Sequence, residues 1–167
     1  MWTSAGMVNS SNTITLTITF LGTYSTGAYV TNLTLFDVDA STTFTDRVTI
    51  TALNGATPVT LTASNNSALG TPSNTITGSG TTSVVALGST TVGDISNARG
   101  DVYVNTGNQR VTTMTFVWNN PGPNFGGQAI DLGNITFTPE VGGCSAALAL
   151  CGGLLAFGRR RAARAAA

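Results

Sequence analysis

From Thr13 to Phe20 the chain alternates without a break: Ile14, Leu16, Ile18 and Phe20 fall on one side and four threonines on the other. Only an extended strand, with its period of two, sorts side chains this way; a helix would scatter both sets around its axis. One face must meet a core and the other water, so the strand needs a second layer to cover it. Shorter versions of the pattern recur. Tyr29 to Val38 carries Leu33 and Leu35, Phe44 to Leu53 carries Val48 and Ile50, and Val59 to Ala63 carries Val59 and Leu61. Asn74 to Thr77 and Ser83 to Leu87 are weaker strands, followed by Asp101 to Asn105 with Val102 and Val104. Val111 to Trp118 puts Met114, Phe116 and Trp118 on one face. Ala129 to Thr138 carries Ile130, Leu132, Ile135 and Phe137, with a change of phase at Gly133 that reads as a bulge. Asn54 with Gly55, and the run Asn119 to Pro123, are turn signals.

Composition agrees. Thirty residues are threonine, lysine is absent, and only 8% are charged, against about 25% in ordinary globular chains. That excludes a coiled coil or a typical helical enzyme, and the wealth of β-branched residues argues against disorder. The expected fold class is all-β: an antiparallel β-sandwich over residues 9–138. It is longer than the ~100 residues of an immunoglobulin-like domain and therefore jelly-roll-like. No fixed-period repeat points to a solenoid. Residues 64 to 101, rich in Ser, Thr, Asn and Gly, are expected to form long loops between short strands.

The formal charge is zero, yet it is unevenly spread. Residues 1–143 hold all seven acids and only Arg47, Arg99 and Arg110, while Arg159, Arg160, Arg161 and Arg164 crowd the C-terminus. A mildly acidic, lysine-free body lacks the basic footprint that nucleic acid requires. With no histidine, a Ser-His-Asp or Cys-His arrangement and histidine metal sites are excluded; with no lysine, so is Schiff-base chemistry. A carboxylate pair for glycoside hydrolysis would have to come from Asp37, Asp39, Asp94, Asp101 or Asp131, and no spacing places two of them at one cleft. The expectation is a protein that is not an enzyme.

Four other constellations carry a candidate chemistry. Asp37, Asp39 and Asp46 are the one cluster of acids, and with loop carbonyls they would suit Ca²⁺; the competing account is turn chemistry with an ion pair to Arg47. Trp118, Tyr103 and Tyr29 would suit a sugar-stacking platform, although Trp118 shares its face with Met114 and Phe116, which favours a core role. The Thr13, Thr15, Thr17, Thr19 row invites an ice-binding reading. That reading needs the row repeated on adjacent strands, and without a visible repeat solvent-facing threonine is the expectation. Gly78-Ser79-Gly80 has no helix after it and makes no phosphate cradle.

After Thr138 the character changes. Cys144 to Phe157 contains no charge, and Arg159, Arg160 and Arg161 follow at once. As a helix, Val141 to Gly158 would span about 27 Å, enough to cross a bilayer with the arginines snorkelling. Cys144 and Cys151 would then lie roughly 10 Å apart, beyond disulfide reach. The organisation expected is a disordered or truncated N-terminus over 1–8, the β domain over 9–138, and a C-terminal signal over 139–167 with a single transmembrane or sorting helix.

A Pro-Glu motif, an apolar helix, an arginine cluster and the chain end, in that order, resemble the PEP-CTERM sorting signal of Gram-negative bacteria. Here the motif is Thr138, Pro139, Glu140 and Val141, with Val141 where that family usually has a second proline. The resemblance implies an exosortase-type membrane processing enzyme as partner, a transient stay in the inner membrane, and delivery to the cell surface or outside it. Gly142-Gly143 is also similar to the GlyGly-CTERM signal, which is read by a rhombosortase and usually has serine where this chain has Cys144; an uncut anchor is the third alternative. The body is similar to secreted bacterial β-sandwich domains over Leu35 to Asp39, Phe44 to Ile50 and Ile130 to Phe137. Those domains follow a signal peptide, and none is visible at Met1 to Gly6, so a truncated or misassigned start is expected. The overall expectation is a surface or matrix protein. The alternative is a carbohydrate-binding module, calcium-dependent or aromatic, with polysaccharide as partner and the same anchor.

Overall fold

The computed structural model describes residues 2–3, 13–66, 74–89, 98–122 and 129–138. Among these residues thirteen strands follow one another, with a 3-10 turn at Gly22–Tyr24: β1 Trp2–Thr3, β2 Thr13–Thr19, β3 Ala28–Phe36, β4 Arg47–Asn54, β5 Thr57–Pro58, β6 Thr62–Asn65 and β7 Asn74–Thr77. The series ends with β8 Ser83–Gly88, β9 Val102–Asn105, β10 Arg110–Val111, β11 Thr113–Asn119, β12 Ala129–Leu132 and β13 Thr136–Thr138. All pairings are antiparallel and build two sheets, one ordered β2-β11-β4-β8-β7 with β5 on β4, the other β1-β12-β3-β9-β6 with β10 and β13 on β3. The all-β, antiparallel expectation is met.

Alternation explains the layers. Met114, Phe116 and Trp118 of β11 are fully buried, as are Val48 and Ile50 of β4 and Val84 and Ala86 of β8. They meet Val30, Leu33 and Leu35 of β3, Val102 of β9 and Ile130 of β12 in one core shared by both sheets. Burying each large apolar side chain contributes about 1.5–3 kcal/mol, which makes β11, flanked on both sides, the centre of the structure. Ile14, Leu16 and Ile18 of β2, with Phe20 just beyond its end, pack on this core from the sheet edge. Edge-to-face contacts of Phe137 with Phe20 at 5.4 Å and with Tyr24 at 5.2 Å close one end.

Two features depart from expectation. Trp2 and Thr3 lie opposite Ile130 and Ala129, so the segment 1–8 is not wholly outside the domain; the outer edge of β12 offers unpaired backbone groups that a short extended segment can satisfy. The threonine row of β2 is also repeated on its neighbours: Thr17 lies opposite Thr115, which lies opposite Thr51, and Thr19 lies opposite Thr113. Three strands from distant parts of the sequence make this array, so no sequence repeat announces it. Val117, Arg47 and Leu87 interrupt the rows toward the far end.

No helix among the described residues is long and apolar enough to cross a membrane. The sorting motif, the apolar segment and the arginine cluster, apart from Thr138 at the end of β13, lie outside the described residues, as does Asp94.

Candidate functional site at the polar end of the domain

Opposite the Phe137 cluster, strand ends bring polar side chains under cover. The β3–β4 connection folds back on itself, with Ala40 bridged to Thr45 and the Ser41 N–H donating to the Phe44 carbonyl. Asp39 and Asp46 become cross-strand neighbours, where the Asp46 N–H donates to the Asp39 carbonyl at 2.9 Å. Both residues are buried, Asp39 at 3% and Asp46 at 1% exposure. The Trp118 indole N–H donates to Asp46 Oδ1 at 3.0 Å, while the Asp39 N–H makes a long contact of 3.5 Å with Oδ2. Burial pushes the Asp46 carboxyl up to about 8, helped by the nearby negative charges of Asp39 and Asp37 and opposed by the Trp118 hydrogen bond. Asp46 therefore carries a proton near neutrality.

Asp37 stands just before this hairpin with φ at 66°, in the left-handed region that aspartate tolerates better than most residues. Among the described residues, no three Asp, Glu, His or Cys side chains stand so as to hold a metal ion. Asp37, Asp39 and Asp46 do not form the carboxylate cage expected for calcium. Two of them are used as ladder neighbours, and Asp46 spends its carboxyl on Trp118.

A second group of polar residues joins Asp101 and Tyr103 to Asn65, Asn66 and Asn74, a combination that sequence spacing does not suggest. Asn65 ends β6 opposite Val102, Asn74 begins β7, and Asp101 immediately precedes β9. Asn74 and Asp101 are 4% and 3% exposed. Asn65 Nδ2 donates to the Asn74 carbonyl at 3.1 Å, Asn66 Nδ2 donates to the Tyr103 hydroxyl at 3.1 Å, and that hydroxyl donates to Asp101 Oδ2 at 3.4 Å. Burial raises the Asp101 carboxyl above its ordinary value, against the Tyr103 hydrogen bond; burial and the Asp101 charge raise the Tyr103 phenol. A signal existed: Asn74 shares the inward phase of β7 with Ile76, an amide where the pattern calls for an apolar residue.

The aromatic residues do not assemble as a platform. Trp118 is fully buried, as its face with Met114 and Phe116 implies. Tyr29 is half-buried beneath Arg110, whose guanidinium carbon lies 5.7 Å from the ring centroid and whose Nε donates to the phenol at 3.3 Å. On the outer face of the β4-β8-β7 ladder an open groove of about 430 Å³ is lined by Arg47, Thr75, Thr77, Val85, Leu87 and Pro121. It presents hydroxyls, an apolar strip and one cation, which suits a neutral, hydroxyl-rich ligand better than an acid–base reaction. No protein-family model matches the chain, and neither a curated protein nor a solved structure matches it.

Proposed function

We propose that this is an exported, non-enzymatic β-sandwich protein of the cell surface or matrix, delivered by a PEP-CTERM-like tail. The observation that carries the reading is the order Pro139-Glu140, uncharged Cys144 to Phe157, then Arg159, Arg160 and Arg161. An uncharged helix enters lipid readily because it satisfies its own backbone. Moving each arginine across would cost about 2.5–3.5 kcal/mol on insertion scales, so the C-terminus stays inside and the Pro-Glu motif faces an exosortase-type enzyme at the outer boundary. The strand order supports a jelly-roll-type sandwich: β2-β11-β4-β8 in one sheet and β3-β9-β6 in the other, with chain crossovers between the sheets. The low charge content, with neither histidine nor lysine, supports a binding or structural role over catalysis.

The test is processing in a host with the matching exosortase and an added signal peptide. Changing Pro139 and Glu140 to alanine should leave the full-length form in the inner membrane. If that pair is neutral while changing Gly142 and Gly143 blocks cleavage, the GlyGly reading replaces this one. If the tail persists in every form, it is an anchor.

The groove beside Arg47 favours a second reading, a carbohydrate-binding module with the same tail. Binding on a glycan array that is lost in Arg47→Ala and Leu87→Asp would support it. Binding sensitive to chelator but not to these changes would not.

A further inference from the structure

We propose that the outer edge of β2 is an interface for a second copy of this chain, whose own β2 pairs with it antiparallel and joins the two β2-β11-β4-β8-β7 sheets into one. Among the described residues β2 pairs with β11 alone. The other sheet ends are blunted by shortness: β7 and β6 have four residues each and β1 has two. β2 runs for seven residues in unbroken register, without the charge, proline or bulge that keeps sheet edges from pairing.

The backbone decides what fits this edge. The Phe20 N–H donates to the Thr112 carbonyl at 2.9 Å, which continues the β2–β11 register by one step. Ile14, Leu16 and Ile18 share that phase and turn their N–H and C=O groups to β11, so Thr13, Thr15, Thr17 and Thr19 turn theirs outward. Such a row is satisfied along its length by another extended chain. The side chains decide which chain. Two copies of Thr13–Thr19 paired antiparallel about Leu16 match over all seven residues: Thr13 opposite Thr19, Ile14 opposite Ile18, Thr15 opposite Thr17, and Leu16 opposite itself. The threonine pairs are the ones whose backbone groups point outward, so hydrogen-bond phase and side-chain register agree. Threonine then meets threonine on the outer face and aliphatic meets aliphatic on the inner one, with no like charges opposed. Self-complementarity of this kind is what a two-fold interface requires. The inner face also gains cover. Ile14, Leu16 and Ile18 are only half-buried, whereas Met114, Phe116 and Trp118 on the next strand are fully buried. One strand edge buries less than the ~1,200 Å² of a standard interface, so the dimer is reversible, with a dissociation constant of about 10–100 µM. The inference goes beyond the reading of the tail and does not depend on how the tail is processed.

The test is sedimentation of the full-length chain in detergent micelles across the micromolar range, with hydrogen exchange on the same samples. The wild type should pass from monomer to dimer, and the Thr15 and Thr17 amides should gain protection as it does. Thr17→Pro removes an N–H that β11 does not use and should weaken dimerisation at least about tenfold. Thr15→Lys with Thr17→Lys, both at exposed positions, should do the same by opposing like charges across the axis, and decides the matter if the proline variant does not fold. Mixing that chain with a Thr15→Glu, Thr17→Glu chain should restore dimers, because position 15 of one copy meets position 17 of the other. Dimers that persist in both the proline and the lysine variants would place association on the tail or another face and overturn the proposal. So would a wild type that stays monomeric throughout; Thr15 and Thr17 amides protected in that monomer would mean that a segment of the same chain covers the edge.

Discussion

In the β2-β11-β4 sheet each strand keeps its phase from end to end, and seven consecutive pairs join β11 to each neighbour. In the facing sheet the central strand β3 does not. β3 buries Ala28 and Val30, exposes Thr31 and Asn32, then buries Leu33 and Leu35, so its inward phase slips by one residue. Its partners break at the same level: β9 gives way to β10 across Thr106 to Gln109, and β12 to β13 across Gly133 to Ile135. Thr106 fills one break, its hydroxyl accepting from the Val30 N–H at 3.2 Å and donating to the Gln109 carbonyl at 2.9 Å. Gly133 fills the other, its N–H on the Thr34 carbonyl at 2.8 Å. The regular sheet supplies cohesion. The broken one, with its short strands and open ends, contributes Asn65 and Asp101 to the polar site.

The sharpest break of this contrast is Trp118→Ala in the regular sheet. It leaves a cavity at the centre and strips Asp46 of its donor, so chemical denaturation should show a loss of about 3–5 kcal/mol. Next comes Asp46→Asn, read against pH in chelator. Because the folded carboxyl sits at about 8, above its unfolded value of 3.8, its stabilising effect is complete below 3.8 and disappears as pH rises through 8. Wild-type stability should therefore decline across that window by up to about 1.4 kcal/mol per pH unit, and the asparagine variant should be flatter. A wild type with no such decline would mean Asp46 is charged in the fold. Gly88→Ala should cost about 1–3 kcal/mol, since its methyl would meet the Asp39 carbonyl, which is backbone and cannot swing aside. Gly133→Ala should cost less, because the nearest atoms it meets belong to the Phe36 ring, which can move, while the Thr34 carbonyl stands farther off at 3.3 Å. Thr17→Val on the outer face of β2 should stay within about 0.5 kcal/mol in the same assay.

The contrast also governs what could be read in advance. Where alternation is unbroken, strand and burial are legible: β7 spans Asn74 to Thr77 as its pattern indicates, and Met114, Phe116 and Trp118 lie inside. The shift at Gly133 is legible too, because glycine and a change of phase coincide. Ala129 to Thr138 nonetheless divides into two strands, since Gly133 to Ile135 leave the ladder. The slip in β3 is hidden, because Thr31 and Asn32 fit either face. The polar site is hardest. Its members come from in and around three strands, and only Asn74, an amide at an inward position of β7, gives a sign in the sequence of its burial. Asp37, Asp39 and Asp46 looked better as a site because closeness in sequence is visible and closeness across strands is not.

The pairing of β2 with β11 has a kinetic consequence. Thr13 waits for Asn119, and β3 waits for β9 and β13, so the contacts that bury the core join distant ends of the chain. Loops of that length must close before any burial rewards them, which places folding among the slow, millisecond-to-second topologies. A chain emerging N-terminus first cannot seal its core until β11 has followed, so it stays open through most of its synthesis and locks only once that strand has arrived.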